Sequence, residues 1–413
     1  MEKRLYNAEK FLEKFVYVDI TKINSTEKNI LKLIQKGQFE EAMMMYDKEN
    51  LIEKYAQQTR TIEKETQAQS AIRNTLQGQK QERDSLFGTI KRQINLLLAL
   101  GGGKNVDRAT ELYRMTTEID TTYLPALHAY GDFLYGQLKY ENSYKAFTML
   151  ERNAKARNQD QYLHGKVMAA AAKRLLNQRK EAEAQLMQAL EIIDTIAHNS
   201  KIKGLALYHL GQINSTDGKT EQAIEYYQRS IEEYEQVYTT DTLNEKYIYN
   251  LARVETACGS AFDDMNRQEE AVTHHLKAIQ LMEKAYRQKE RGNTAMLAYA
   301  HQYLARSYDG REDHTMFDKA LEHYMIADTL YQKVANINPQ AYSYYLGLLH
   351  SDIGTGYFEH GMHKEALAEL EISNQIFKEM VAKKYGHQST CEDMIKYNNK
   401  FIEQINQALQ PAS

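Results

Sequence analysis

Between residues 104 and 388 the apolar positions fall at spacings of three and four, the period of helices that bury one face, and not in the alternation of strands. The pattern also returns at longer range. An apolar–small–x–x–aromatic cluster recurs as Tyr130-Gly131 with Leu134, Leu210-Gly211, Cys258-Gly259 with Phe262, and Ile353-Gly354 with Tyr357. Twelve positions after the small residue stands Ser143, Ala223, Ala271 or Ala366. A fifth copy, Leu304-Ala305 with Tyr308, reaches Ala320 three residues later, a slack that a turn over 309–313 absorbs. Four residues beyond the anchor comes a large side chain (Phe147, Tyr227, His275, Tyr324, Leu370), and three further on a mostly small one (Ser230, Ala278, Ala327, Ser373, with Leu150 the exception). Each copy therefore predicts two antiparallel helices that approach most closely where a Gly or Ala of one meets the ridge of the other. Gly37, Gly136, Gly218 and Gly361 fall in the predicted turns, where a left-handed C-cap is expected.

Outside this array the pattern changes. Residues 1–50 read as a helical lead-in with one degenerate copy, Gly37 to Ala42 with Tyr46. Residues 51–103 read as a long polar helix ending in the Gly101-Gly102-Gly103 linker, with a thin apolar stripe of Tyr55, Ile62, Ile72, Leu76, Leu86, Ile90, Ile94 and Leu97. Gln69, Gln79 and Arg83 interrupt that seam, which favours docking on the array over a coiled coil, while leaving pairing of two copies through 51–100 as the second reading. Residues 104–388 hold the array. In 389–413, Met394, Ile395, Phe401, Ile402, Ile405 and Leu409 predict an amphipathic helix that covers the last apolar surface.

Composition narrows the function. Only 3 Pro occur in 413 residues, so little interrupts helix along the whole chain. A net charge of −4, with basic and acidic residues well mixed, speaks against nucleic acid as a partner. No run is apolar enough for a membrane span or a leader, which points to the cytoplasm and away from membranes. Cys258 and Cys391 stand far apart and outside any ligand-spaced motif.

The recurring cluster resembles the tetratricopeptide repeat, whose pattern is W-x2-L-G-x2-Y followed by A-x3-F and a late Pro. Trp is absent here, the late Pro nearly so, and the second-helix anchors at 109, 143, 182, 223, 271, 320 and 366 are spaced more widely than the family's 34 residues. Increments near seven keep the apolar stripe on one face, so longer helices still stack. The resemblance implies an all-α, right-handed superhelical array of antiparallel helix pairs whose first helices line a concave face, and a non-catalytic scaffold that holds a protein or peptide there. Counting from the small residues, that face carries His128, Asp132 and Tyr135; Tyr208, Gln212 and Ser215; Arg253, Thr256 and Ser260; Tyr299, Gln302 and Arg306; and Ser351 and Thr355. The Lys and Asn clamp by which chaperone-binding members hold a C-terminal carboxylate is missing from these positions. The alternative is a peptide- or ligand-gated regulator of a signalling or transcription partner, with 1–100 as its helical bundle.

Candidate chemistry is thin. His274-His275 point about 100° apart on a helix, and His275 falls on the repeat's aromatic position, so it is expected in the core. His360 and His363 flank a turn glycine without an acidic partner at zinc-protease spacing. Gly101-Gly102-Gly103-Lys104 lacks the remainder of a phosphate loop, and Asp263-Asp264 are expected to be solvated at a helix end. The sequence thus predicts no enzyme, no cofactor and no metal.

Overall fold

The computed structural model describes residues 24–66, 73–100, 103–196, 200–288, 294–310, 315–383, 385 and 388–409. Among them no strand occurs. The chain divides into two compact units, one ending at Gly165 and one beginning at Lys166.

The first unit holds α1 (Ser25–Gln35), α2 (Phe39–Lys48), α3 (Leu51–Thr66), α4 (Arg73–Leu100), α5 (Gly103–Ile119), α6 (Leu124–Gly136), α7 (Tyr140–Ala154) and the start of α8 (Gln159–Leu175). Helix α1 begins with a capping box in which the Asn24 side chain accepts from the Glu27 amide at 2.8 Å and the Glu27 carboxylate accepts in return from the Asn24 amide at 3.3 Å. The same carboxylate is buried and accepts from Thr89 Oγ1 at 2.6 Å and from Arg92, which ties α1 to α4. Where the sequence predicts one long helix over 51–100, there are two, α3 and α4, packed on each other. Tyr55, Ile90, Ile94 and Leu97 join Ile30, Ile34, Tyr46, Ala109 and Tyr113 in one core. The thin stripe is therefore covered within this chain, and burying a side chain such as Ile94 contributes about 1.5–3 kcal/mol. Ile72 and Gln69 lie outside the described residues.

The second unit continues α8 and adds α9 (Arg179–Asp194), α10 (Ser200–Thr216), α11 (Thr220–Thr240), α12 (Glu245–Asp264), α13 (Gln268–Gln288), α14 (Thr294–Asp309), α15 (Thr315–Ile337), α16 (Pro339–Glu359), α17 (His363–Ala382) and α18 (Gln388–Leu409). From α10 on, consecutive helices pack in pairs, and the predicted contact points hold. A Cβ added at Gly259 would stand 2.6 Å from the His275 ring, and one at Gly354 would stand 2.7 Å from Leu370; at Gly211 it would run into Tyr227. The same contact in the first unit sets Gly131 against Phe147 at 2.7 Å.

In the long pairs this contact is repeated seven residues outward, which explains how units longer than 34 residues still stack. Gly204 lies against Tyr234 and Gly347 against Phe377, while Ser230 Oγ donates to Gly204 O at 2.7 Å and Ser373 Oγ to Gly347 O at 2.8 Å. Ala252 with Ala278, and Ala298 with Ala327, fill the same places in the pairs between. One heptad adds two turns and brings the same face back.

Six of the turns within pairs share one closure. Residues Gly37, Leu138, Asn177, Gly218, Asn266 and Gly361 all have φ between 56° and 75°, and the amide after each reaches back to a carbonyl five residues earlier, as in Lys219 N to Asn214 O at 2.9 Å. Gly136 is not the left-handed residue its type suggests. It ends α6, and Leu138 takes the φ of 60° instead. Helix α18 covers the last pair with Cys391, Asn398 and Ile405 buried, but Leu409, the helix's final residue on the predicted apolar face, is 44% exposed.

Candidate functional site

The first helices α10, α12, α14, α16 and the capping α18 touch one another as well as their own partners. Side chains on that face therefore divide between joints and open surface. Tyr208 of α10 is buried beneath the Arg253 guanidinium of α12, which lies 4.3 Å from its ring centroid, and accepts from Gln212 Nε2 at 2.7 Å. Gln302 of α14 is buried and donates to Asp352 Oδ2 of α16 at 2.6 Å. Ser351 is buried and donates to Asn398 Oδ1 of α18 at 2.7 Å. Thr256 is fully buried, its hydroxyl turned back to Ala252 O at 2.9 Å. Of the predicted face residues, Tyr208, Gln302 and Ser351 are thus buried joints between helices and Thr256 a core residue, and all four have little surface to offer a ligand.

The others keep access to solvent. Arg306 is exposed, stands 5.0 Å over the Tyr303 ring, and Tyr303 lies 4.4 Å from Tyr299. The nearby Asp352 carboxylate holds the Arg306 guanidinium above its ordinary value. Asp352 itself is pushed up by burial, against the pull of Arg306 and of the Gln302 hydrogen bond. Gln212, Ser215, Arg253, Ser260 and Thr355 are half-buried. Thr355 Oγ1 donates to its own helix, to Ser351 O at 3.1 Å and Asp352 O at 2.9 Å. Tyr303 and Asp352, which sequence reasoning missed, sit within a turn of predicted positions; Tyr303 reads locally as one more aromatic of its helix, and Asp352 finds its partner Gln302 in the neighbouring helix pair.

Asp263 is likewise not the solvated carboxylate expected of it. It accepts from Ser307 Oγ at 2.6 Å and faces His275 Nε2 at 3.3 Å, joining α12, α13 and α14. His275 is fully buried over Gly259, as its place in the repeat predicts.

One grouping has the outline of a nucleophile and its base. Cys258 Sγ lies 3.7 Å from His274 Nε2, and His274 Nδ1 lies 2.6 Å from Glu255 Oε2. The environment runs against that chemistry. Burial first, then the Glu255 charge, pushes the Cys258 thiol up to about 12, whereas a reactive cysteine needs a lowered value and access.

In the first unit, His128 and Asp132 of α6 come together with His164 of α8, which lies 32 positions beyond Asp132 and carries no spacing signal. Tyr135, one turn on, meets Tyr140 edge to face at 5.6 Å. A cleft of about 900 Å³ in this unit is lined by Thr59, Arg83, Asp84, Asp120, Tyr123 and Gln161 among others. Some of its charges are paired internally: Arg83 reaches Asp120 at 3.3 Å, and Tyr123 donates to Asp84 at 2.7 Å.

No family model and no curated protein sequence matches the chain. Solved structures resemble it. BtubC (BKLC) from P. vanneervenii aligns at 14% identity over 58% of this chain and 92% of its own, with a TM-score of 0.46. A human IFIT1 dimer with m7Gppp-AAAA aligns at 16% over 99% of this chain and 95% of its own, with a TM-score of 0.45. YrrB, a TPR protein with an unusual peptide-binding site, aligns at 18% over 49% and 91%, with a TM-score of 0.26. The repeat is seen in the chain's own contacts. By those contacts, a small residue against an aromatic or large side chain in pair after pair, the protein is built of tetratricopeptide-like helix pairs. Among the described residues no helix is long and apolar enough to cross a membrane.

Proposed function

We propose that the protein is a non-catalytic scaffold that binds a protein or peptide on the face formed by its first helices. The observation that carries this is the exposed Arg306 over Tyr303, with Tyr299 beside it. Arg and Tyr at the centre of such a surface are the types that anchor interfaces, and the neighbouring joints already hold the backbone in place, so little ordering cost remains for binding. The inertness of Cys258, the best-placed nucleophile among the described residues, supports the non-catalytic part.

The test uses the partner recovered by cross-linking in native extract and identified by mass spectrometry. Arg306→Ala and Tyr299→Ala are expected each to weaken its binding at least tenfold in calorimetry, about 1.4 kcal/mol or more, measured at a temperature where circular dichroism shows each variant folded, since Tyr299 also packs against the core. Met325→Ala, on the 70% exposed outer surface of α15, serves as the control and should bind normally. Intact binding in both face variants, together with loss in the control, would refute the reading.

A further inference from the structure

We propose that His128, Asp132 and His164 form a binding site for a divalent transition-metal ion of the zinc class, which joins α6 to α8 and leaves one coordination position open. This departs from the expectation, drawn from spacing along the chain, that no metal is bound.

His128 and Asp132 are four residues apart on α6, hence stacked on one face of the helix. The opposite face is fixed in the core by Ala126, Leu127 and Leu134. His164 is delivered by a close approach of α8 to α7. The next residue is Gly165, where an added Cβ would stand 2.7 Å from Glu151 N and 3.0 Å from Phe147 O. Phe147 then meets the His164 ring edge-on at 5.9 Å.

The resulting distances suit one small ion. His128 Nε2 lies 3.2 Å from Asp132 Oδ2, His164 Nε2 lies 3.7 Å from Asp132 Oδ1, and the three donor atoms all fall within 4.8 Å of one another. Ligands held about 2.0–2.1 Å from a tetrahedral zinc ion stand about 3.3 Å apart.

Hydrogen bonding points the same way. His128 Nδ1 lies 2.7 Å from Gln161 Oε1, within hydrogen-bond reach, which orients the ring with Nε2 toward the carboxylate. A metal-bound histidine is oriented in this manner, by a partner that fixes its tautomer. One dication answers both rings and the carboxylate. The rings are parallel within 16°, and turning them onto the ion uses χ2, a broad torsion for histidine.

Two imidazoles and a carboxylate favour Zn²⁺ and its neighbours over Ca²⁺ or Mg²⁺, which prefer all-oxygen sites. The Asp132 side chain is 50% exposed, so the remaining position opens to solvent and takes a water or a donor from outside the chain.

The experiment is a titration of the chelator-treated full chain with ZnCl₂ by calorimetry, repeated with CoCl₂ and followed by visible absorption. Wild type should take up one tight equivalent of Zn²⁺ and show the ligand-field bands of low-coordinate Co²⁺. His164→Ala and Asp132→Asn should each lose that equivalent, with affinity down about 100-fold or more, while Gln161→Leu should weaken it about 10- to 100-fold through His128. Unchanged metal-free circular dichroism in Asp132→Asn, a near-isosteric change at a half-exposed position, separates ligand loss from unfolding should His164→Ala not fold. The proposal fails if wild type takes up no zinc below millimolar concentration, in which case the cluster only shares protons. It fails equally if Asp132→Asn binds as many equivalents as tightly as wild type, in which case the metal sits elsewhere.

Discussion

At Gly211 the helix pair α10–α11 leaves no room for one more carbon, because the Tyr227 ring occupies the place of a Cβ. Gly211→Ala should therefore destabilise the protein by about 1–3 kcal/mol in urea unfolding, the usual range for overpacking. Gly204→Ala, where the added atom would stand 3.0 Å from Tyr234, should cost less; equal effects would mean that the pair adjusts freely. Leu138 offers the reverse case. Its φ of 60° is a conformation that glycine adopts without the steric penalty of a side chain, so Leu138→Gly should raise stability by up to about 1 kcal/mol, and a loss would show that its side-chain packing outweighs the strain. Asp309 makes stability depend on pH. Burial, then the Glu359 charge, pushes its carboxyl up to about 7, while Tyr324 and Arg306 pull the other way; Asp352 and His360 also face it. A carboxyl raised in the folded state stabilises that state in acid, fully below about pH 4, and the contribution is lost as pH rises through about 7. Asp309→Asn should flatten the melting temperature between pH 4 and 8 relative to wild type, and parallel curves would rule the group out.

Among the elements, α18 shows how an apolar end is covered with a polar lock at its centre. Asn398 is fully buried with its amide satisfied: Ser351 donates to it, and its Nδ2 donates to Ser373 Oγ at 2.9 Å and Asn374 Oδ1 at 3.1 Å. Asn398→Ala would leave those partners unpaired in the core and should cost about 1–3 kcal/mol, read by thermal melting. A neutral result would mean that water replaces the amide. The sequence marked α18 as an amphipathic helix through its apolar spacing, yet the buried Asn398 was invisible there, since a single Asn on an apolar face has no local signature. The same limit holds elsewhere. Gly211 with Tyr227 and Gly354 with Leu370 were legible because both partners stand at fixed spacing within one helix pair. Gln302 with Asp352, and His128 with His164, were not, because they join different pairs across turns of variable length. The segment 51–100 was read as one helix since nothing in its composition marks a break, while the tertiary structure folds α3 back on α4.

For the chain taken whole, stability should be a sum of neighbouring terms. In the unit from Lys166 on, the main contacts of the described residues of α10 to α18 are with helices next in order or next but one, and hydrogen bonds such as Ser307 to Asp263 and Ser351 to Asn398 span that distance. An array of this kind has no contact that closes it end to end, so opening one pair leaves distant pairs with their contacts intact. Helix α18 packs chiefly on α16 and α17, whereas α12 to α14 have neighbours on both sides. Native-state hydrogen exchange should then show graded opening free energies, lowest in α18 and highest across α12 to α14, in place of one value shared by all. Asn398→Ala sharpens the test. It should lower protection in α16 to α18 by about the 1–3 kcal/mol it costs there, and leave α10 to α13 within experimental error. If protection falls equally from α10 through α18, the unit unfolds as a single cooperative body, and the nearest-neighbour account of its stability is wrong.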